Sequence, residues 1–259
     1  MTFDEPDSGR LRIMSPAPPT TFAEVLGRRL RNDPGQPLVT FYDDDTGERV
    51  ELSVTTYANW VAKAASLLVD ELDLERGARL RIDLPPHWLG TVFLGAAWTA
   101  GLVVSGDDEP LDAVVCGPGT LAAWAERTDD VVVLACALRP MGVRFVDPVP
   151  DGVHDVGIEI WSQPDAFTPW DPPTGADVAH DLDGSPLAQA EMWKAAATGT
   201  LVTDGGRLLS EANPASPPGI ATFTEPLQRG GSLVLVTRAG RDRLDATYAA
   251  ERATARFPA

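Results

Sequence analysis

The chain has 259 residues, of which 44% are hydrophobic and 23% are charged, and its formal net charge is −17. The composition is ordinary for a globular protein, and the strong negative charge argues against a nucleic-acid or anionic-membrane surface. No run of about 18 apolar residues is present, so no membrane span is predicted, and the acidic, proline-rich start lacks the pattern of a secretory signal. We therefore expect a cytoplasmic protein.

The basic residues are almost all arginines, a bias typical of a high-GC bacterial genome, and Lys63 and Lys194 are the lysines of the chain. Residues 1–19 are predicted to form an irregular N-terminal arm, and residues 20–259 a single α/β domain. We divide this domain into a first part of the sheet over 20–161, a Pro/Asp/Gly-rich loop over 162–186 and a second part over 187–259.

The first predicted element is a helix that begins at Thr21, because Thr21 and Glu24 have the spacing of a capping box. A β-hairpin follows, with strands at 38–42 and 48–52 joined by an acidic turn. The three aspartates of this turn are typical of a solvated turn rather than of a metal site, because no further ligand spacing follows them.

The stretch from Ser53 to Val104 organises the rest of the prediction. It reads as a helix capped by Thr55 or Thr56, a strand at 79–84, a helix that ends at Gly101, and a strand at 102–104. Such a unit lays helices on a largely parallel sheet.

Further elements follow this unit in alternation. The next predicted helix has an inner face suggested by the spacing of Leu187, Ala190, Trp193 and Ala197. We also predict strands at 111–116, 131–135, 142–146, 158–161, 206–210 and 226–236, and helices at 121–127 and 241–256.

Short motifs in the central stretch carry a family resemblance. They are S-x-x-T-Y from Ser53, A-x-L-L from Ala65, L-E-R-G-A-R-L from Leu74, L-P-P-H from Leu84 and A-A-W-T-A-G-L-V-V from Ala96. In this order they resemble segments of the adenylate-forming enzymes, the AMP-dependent synthetase and ligase superfamily. These segments read L-T-Y-x-E-L, A-x-x-L, G-x-x-x-G-D-R-V, L-P-N and A-x-x-x-A-G-A-x-x-V. A second block over 206–236 resembles the G-D-R-x-L strand, the P-x-x-H-x-x-G turn and the L-x-x-G-A-x-x-V-L strand of the same superfamily.

The resemblance implies an α/β fold, with a layered, mostly parallel sheet and helices on both faces, like the first half of the N-terminal domain of these enzymes. It also implies ligand-binding positions. Asn213, Ser216 and Gly219 lie where the family has a turn that helps to line the acyl pocket. Thr174 and Gly175 lie where the family has its phosphate loop, T-S-G-T-T-G-x-P-K-G.

This chain departs from the family at the phosphate loop. Its residues are Pro172-Pro173-Thr174-Gly175, followed by aspartates, and no lysine is present there. Prolines remove amide donors, and aspartates repel phosphate. The later Y-G-x-T-E motif, the ribose-binding aspartate and the domain with the acylation lysine are not found. The chain therefore resembles a truncated, degenerate relative: we assign no catalytic residue, and the motifs do not support ATP or AMP as a cofactor.

An alternative anion site lies at Gly117, Gly119 and Thr120, between a predicted strand and a helix. Free amides at a helix N-terminus attract anions. Two glycines without a following lysine are a weak signal, however, and an ordinary turn between strand and helix is the favoured interpretation.

The remaining chemistry-bearing residues are scattered along the sequence. We expect Cys116 and Cys136 to be buried, reduced thiols. We expect His87, His154 and His180 to be surface residues rather than metal ligands or members of acid–base pairs with neighbouring aspartates, and no metal site is predicted. Packing is the expected role of the seven tryptophans, with Trp161, Trp170 and Trp193 around the unusual loop as alternative pocket residues.

Three hypotheses for function follow. The leading one is a catalytically inactive relative, a pseudoenzyme, that binds a small acyl or nucleotide-like ligand or a protein partner. The second is an active AMP-forming or acyl-CoA ligase that uses non-standard residues or a partner chain. The third is a structural or regulatory interaction protein. The sequence does not define the oligomeric state.

Overall fold

The computed structural model describes residues 18–106 and 110–258. The helices are α1 (Phe22–Asn32), α2 (Val54–Ser66), α3 (Trp88–Ala100), α4 (Leu121–Ala125), α5 (Val156–Glu159), α6 (Gln189–Thr198), α7 (Ile220–Gln228) and α8 (Arg241–Ala250). The strands are β1 (Pro37–Asp43), β2 (Glu48–Ser53), β3 (Arg79–Asp83), β4 (Val103–Ser105), β5 (Ala113–Cys116), β6 (Val132–Ala135), β7 (Val153–Asp155), β8 (Val178–Asp181), β9 (Leu187–Ala188), β10 (Arg207–Ser210), β11 (Ser232–Thr237) and β12 (Ala255–Phe257). A π-helical turn, Leu67–Glu71, extends α2, and 3₁₀ turns occupy Pro140–Gly142 and Ile160–Ser162.

The strands of the described residues form two sheets. The larger sheet has the order β7-β6-β5-β3-β4-β8-β9 and is parallel except for β9, which runs antiparallel to β8. The smaller sheet has the order β12-β10-β11-β1-β2 and is parallel except for the β1–β2 hairpin. The predicted α/β class with a mostly parallel sheet is therefore confirmed.

Helix α3 lies between the two sheets and forms the centre of the core. It contacts β1 of the smaller sheet and β3 and β4 of the larger sheet, and all of its residues except Thr99 are buried. A helix that is apolar on every side is stable only in such a place. None of the helices in the described part of the chain has both the length and the hydropathy needed to cross a lipid bilayer.

Close packing of α1, α2 and α3 depends on a glycine. A Cβ at Gly95 would lie 2.5 Å from the Tyr57 hydroxyl oxygen and 2.8 Å from Cζ of Phe22. The Tyr57 hydroxyl donates a hydrogen bond to the carbonyl oxygen of Thr91, 2.8 Å away. Gly95 thus provides the space that buries this tyrosine against α3.

Several local predictions are confirmed and others are wrong. Thr21 caps α1 in a capping box, and Gly101 ends α3 with φ of 75°. Ser53, not Thr55 or Thr56, caps α2. The strand predicted at 158–161 is helix α5 and the 3₁₀ turn that follows it, and no strand forms at 142–146.

Three predictions for the C-terminal part of the chain are also wrong. Residues 226–228 belong to α7 rather than to β11, and Ala197 is on the exposed face of α6. The final helix ends at Ala250, after which β12 joins the smaller sheet beside β10.

The segment over 162–186 contains a strand that the sequence analysis assigns to a loop. Strand β8 pairs with β4 through His180 and Asp181, and its Ala179 carbonyl oxygen accepts a hydrogen bond of 3.0 Å from Nε1 of Trp98. Of the predicted N-terminal arm, residues 1–17 lie outside the described residues.

Candidate functional site

The carboxyl edge of the larger sheet has a topological switch point at β3. The chain leaves β3 through α3 to β4 on one side, whereas β5 lies on the other side of β3. Connections that diverge in this way leave a crevice beyond the strand ends, where α/β proteins bind their ligands. The residues at these ends are Asp83, Ser105 and Cys116.

A polar cleft of about 260 Å³ lies at this edge of the sheet, on the β4 side of β3. It is bounded by the ends of β3 and β4, by the residue after β8, and by a loop over 211–219 that connects β10 to α7. Its polar side chains are those of Arg81, Asp83, Ser105, Asn213 and Ser216.

The loop is fixed to β3 by Asn213. Its Nδ2 donates a hydrogen bond of 2.7 Å to the Leu84 carbonyl oxygen, and its Oδ1 accepts one of 3.0 Å from the Ala215 amide. The Gly219 amide donates to the Ser216 carbonyl oxygen at 2.7 Å, and a Cβ at Gly219 would lie 1.8 Å from the Asn213 carbonyl oxygen. The structure thus brings the predicted residues Asn213, Ser216 and Gly219 together in one loop at the cleft.

An apolar pocket of about 320 Å³ adjoins the polar cleft, and Leu182 and Pro217 line both. Its walls come from β8 and β9, from α6 and from α7. The apolar side chains include those of Met192, Ala196 and Ile220. We call the polar cleft and the apolar pocket together the double cleft.

The polar side chains of the apolar pocket include those of His180 and Glu225. Burial lowers the pKa of His180, against the opposing charges of Asp183 and Asp181, so the ring is neutral at pH 7. The Glu225 carboxylate accepts a hydrogen bond of 2.9 Å from the Leu201 amide. A Cβ at Gly199 would lie 2.0 Å from Cδ of Glu225, so this glycine leaves room for the carboxylate.

Thr174 and Gly175 line neither part of the double cleft. The Thr174 amide and hydroxyl both donate to Oδ2 of Asp177, at 2.7 and 2.8 Å. Arg76 forms an ion pair with the same carboxylate at 2.7 Å. Burial alone would raise the pKa of Asp177, but the hydrogen bonds from Arg76 and Thr174 bring it down to about 2. Gly175 packs against α6, since a Cβ there would lie 3.0 Å from Cβ of Ala190.

The turn with Gly117, Gly119 and Thr120 leads into α4, which has only five residues. Cys116, just before the turn, pairs in register with Asp83. The Asp83 carboxylate accepts a 2.7 Å hydrogen bond from Nε1 of Trp124, and although burial alone would raise its pKa, this bond and the charge of Arg81 lower it. An ionised carboxylate therefore lies beside the turn, and anion binding there stays a prediction.

The three histidines are not all surface residues. His87 is buried: its Nδ1 accepts a hydrogen bond of 3.2 Å from the Leu89 amide and caps α3, and its ring contacts Phe41. Half-exposed His154 lies 3.1 Å from Glu159. Among the described residues, no group of three or more His, Cys, Asp or Glu side chains is arranged to hold a metal ion.

Sequence reasoning missed most of the double cleft. Arg81 and Ser105 lie in strands, and Leu182 directly follows one. They could be predicted to share a site only if the order of the strands were known. Met192 and Ile220 come from two helices that meet only in the folded chain, so the sequence gives no signal for that wall.

The fold is that of the N-terminal part of acyl-CoA and aryl-CoA ligases. An acyl-CoA synthetase from Brucella canis has a TM-score of 0.76 and 15% identity, covering 91% of this chain and 46% of its own. The anthranilate CoA ligase AuaEII, solved with anthranoyl-AMP, has a TM-score of 0.69 and 12% identity, covering 90% and 48%. A benzoate CoA ligase from Burkholderia xenovorans LB400 has a TM-score of 0.70 and 17% identity, covering 90% and 49%. The chain thus spans about half the length of these structures, and the similarity shows the fold alone.

A relative of similar length defines the family. No protein-family model matches the chain. The TIGR03089 family protein of Mycobacterium tuberculosis is 33% identical over 245 residues, which cover 92% of this chain and 98% of that protein. The chain therefore belongs to the TIGR03089 family, and its resemblance to the adenylate-forming superfamily is confirmed at the level of fold.

Proposed function

We propose that this protein binds a small carboxylic acid or its acyl derivative in the double cleft and does not form an acyl-adenylate. The observation that carries the proposal is the junction of a polar cleft and an apolar pocket at the carboxyl edge of the larger sheet. Together they reach the range of about 300–1,000 Å³ that is typical of small-molecule sites. The shared fold of acyl-CoA and aryl-CoA ligases supports an acyl ligand by analogy only.

The two parts of the double cleft match the two ends of such a ligand. A carboxyl or thioester group is polar, and it would lie near Arg81 and Ser216. The acyl chain or aryl ring is apolar, and it would lie against Met192, Ala196 and Ile220. Neutral His180 adds no charge to that apolar environment.

Loss of adenylation is supported by the groups at the former phosphate loop. Thr174 has its amide and hydroxyl engaged by Asp177, so neither donor is directed at a phosphate. Lys63 donates to the Gln163 carbonyl oxygen and forms an ion pair of 3.1 Å with Asp165, while Lys194 is exposed on α6. Transfer at a phosphate centre depends on positive charge and donors held around it.

The binding site is tested by calorimetric titration with straight-chain carboxylates from butanoate to decanoate. Each methylene that enters the apolar pocket contributes about 0.8 kcal/mol, so the affinity should rise about fourfold per methylene until the pocket is full. Ala195 is exposed at the pocket, and Ala195→Leu should weaken binding of the longer chains about tenfold, or 1.4 kcal/mol.

The matched control is Ala197→Leu, an equal change on the exposed face of the same helix, outside the pocket. It should bind like the wild type. Absence of binding for the whole carboxylate series, or equal loss in the two variants, would contradict the proposed site.

A further inference from the structure

A separate polar cleft of about 610 Å³ lies at the amino ends of β1, β10 and β11 in the smaller sheet. It lies between the last turn of α1 and the end of α8. Its charged lining residues are Arg29, Asp33, Glu51, Arg207, Glu251 and Arg252. We call this the Arg29 cleft, and it shares no lining residue with the double cleft.

Arg29 is the unusual group of this cleft. Its side chain is only 3% exposed, and its Nε and Nη1 are buried without a hydrogen-bond partner among the described residues. The adjacent Arg28, in contrast, donates to the carbonyl oxygen and to Oε1 of Gln228, at 2.6 and 2.8 Å. The last turn of a helix favours a positive charge. This position does not, however, supply hydrogen-bond acceptors for Nε and Nη1 of Arg29. Buried guanidinium groups are normally paired, so Arg29 needs a partner.

The charged residues that line the cleft balance in number, three arginines against three carboxylates, but two of the carboxylates are engaged in ion pairs. Arg49 pairs with Glu51 at 2.7 Å and with Glu251 at 3.1 Å, and Arg207 also pairs with Glu251. With Glu51 and Glu251 engaged in these ion pairs, Asp33 is the lining carboxylate that remains to balance the charges of Arg29 and Arg252. Nε of Arg207 is likewise buried without a partner in the described part of the chain.

Part of the cleft wall is glycine backbone, at Gly205, Gly230 and Gly231. Gly230 has φ of 79°, and a Cβ there would lie 3.6 Å from Nη1 of Arg29. At Gly231 a Cβ would lie 2.0 Å from the Gly206 carbonyl oxygen, so no larger residue fits. The two glycines therefore keep side chains out of this part of the wall, and Gly230 lies close to the Arg29 guanidinium.

We propose that the Arg29 cleft binds a phosphate group, either inorganic or as a monoester, with Arg29 as its main ligand. Phosphate carries about −1.5 to −2 charges near pH 7 and offers oxygens in several directions. It can therefore accept hydrogen bonds from Arg29 and Arg207 together, whereas a carboxylate is satisfied by one planar guanidinium fork. The volume of the cleft exceeds that of the phosphate group and leaves room for an organic substituent.

The test is thermal unfolding at constant ionic strength with inorganic phosphate, methyl phosphate or acetate, followed by calorimetric titration with inorganic phosphate. At a concentration about 100 times the dissociation constant, phosphate should raise the unfolding midpoint of the wild type by roughly 5–10 °C. Titration should give one site per chain. Methyl phosphate should act like inorganic phosphate if the site accepts a monoester, and acetate should have little effect.

Arg29→Met should abolish the phosphate-dependent shift and leave the midpoint without phosphate unchanged or higher, because an unpaired buried charge is removed. Arg31→Met, on the exposed face of the same helix, should respond like the wild type. If Arg29→Met does not fold, Arg29→Lys provides the comparison and should bind phosphate at least tenfold more weakly. An absent phosphate effect, an equal effect of acetate, or an unchanged response in the Arg29 variant would overturn the proposal.

Discussion

His87 shows how one buried side chain stabilises the junction between the sheets and α3. The ring lies 4.7 Å from the Phe41 ring and 5.6 Å from the Trp88 ring, and Nδ1 caps the helix. Burial lowers the pKa of His87 to about 3, with the charge of Asp43 acting in the opposite direction. The histidine is therefore a neutral cap in the folded protein.

This state predicts a pH dependence of stability. The unfolded chain takes up a proton at His87 below its ordinary pKa of about 6.5, whereas the folded chain does not until about pH 3. The contribution of His87 to the free energy of unfolding is therefore complete above pH 6.5. It should fall by about 1.4 kcal/mol per pH unit as the pH decreases towards 4.

Urea unfolding of the wild type and of His87→Asn, from pH 8 to pH 4, measures this contribution. Asparagine is also a good helix cap but does not titrate in this range. The stability advantage of the wild type over the variant should shrink with decreasing pH at the stated slope. Parallel pH profiles for the two proteins would contradict this, because they would show that His87 takes up its proton at the same pH in the folded and unfolded states.

At the scale of residues, sequence reasoning works where both partners are close in the chain. Thr21 and Glu24 are three positions apart, and their capping box is as predicted. Gln189 is buried and accepts a hydrogen bond of 2.8 Å from the Phe22 amide while donating one of 2.9 Å to the Trp98 carbonyl oxygen. No local pattern indicates partners that lie 167 and 91 positions away.

At the scale of elements, short apolar runs are the main source of error. The run that begins at Ile158 fits a strand or a helix by composition. Helix α5 forms because Oδ1 of Asp155 accepts a hydrogen bond of 2.9 Å from the Gly157 amide and caps it. Gly157 also packs closely against the backbone of Arg144, since a Cβ at Gly157 would lie 2.3 Å from the backbone nitrogen of Arg144.

One arginine holds the side chains of the segment around Thr174, in addition to backbone hydrogen bonds from Gln189 and Ala190. Nη1 of Arg76 bonds to Asp171 at 2.9 Å, and its Nε and Nη2 bond to Asp177 at 2.8 and 2.7 Å. Asp177 in turn fixes the Thr174 amide. Arg76→Met should release this segment and speed hydrogen exchange at the Thr174 amide at least tenfold, with amides of the larger sheet unchanged.

Arg31→Met is the control for this experiment, since Arg31 is exposed on α1 and forms no ion pair within the described residues. Its exchange at Thr174 should equal that of the wild type. An unaltered exchange rate in the Arg76 variant would mean that the backbone hydrogen bonds of the segment hold the turn without the arginine.

At the scale of the whole molecule, the sequence predicts the architecture well because the βα units of residues 53–104 are local and strongly patterned. The order of the strands is harder to predict from the sequence. The positions of β8 beside β4 and of β12 beside β10 depend on long connections that the pattern does not constrain. The candidate site is predicted in part for the same reason: Asn213, Ser216 and Gly219 belong to one loop, whereas Met192 and Ile220 reach the pocket from separate helices.

The molecule thus combines the fold of the N-terminal part of acyl-CoA and aryl-CoA ligases with a segment around Thr174 whose donors are occupied by Asp177. This combination predicts ligand binding without turnover. Mutating Thr174 should have no effect on binding of carboxylates in the double cleft, because that residue does not line it.

The most direct measurement is release of pyrophosphate from ATP by the purified chain across a panel of aliphatic and aromatic carboxylic acids, with and without coenzyme A. We expect no release above the rate without protein for any acid, including those that bind in the calorimetric titration. Carboxylate-dependent release that Thr174→Val abolishes would contradict this account, since it would show that the segment still holds a triphosphate.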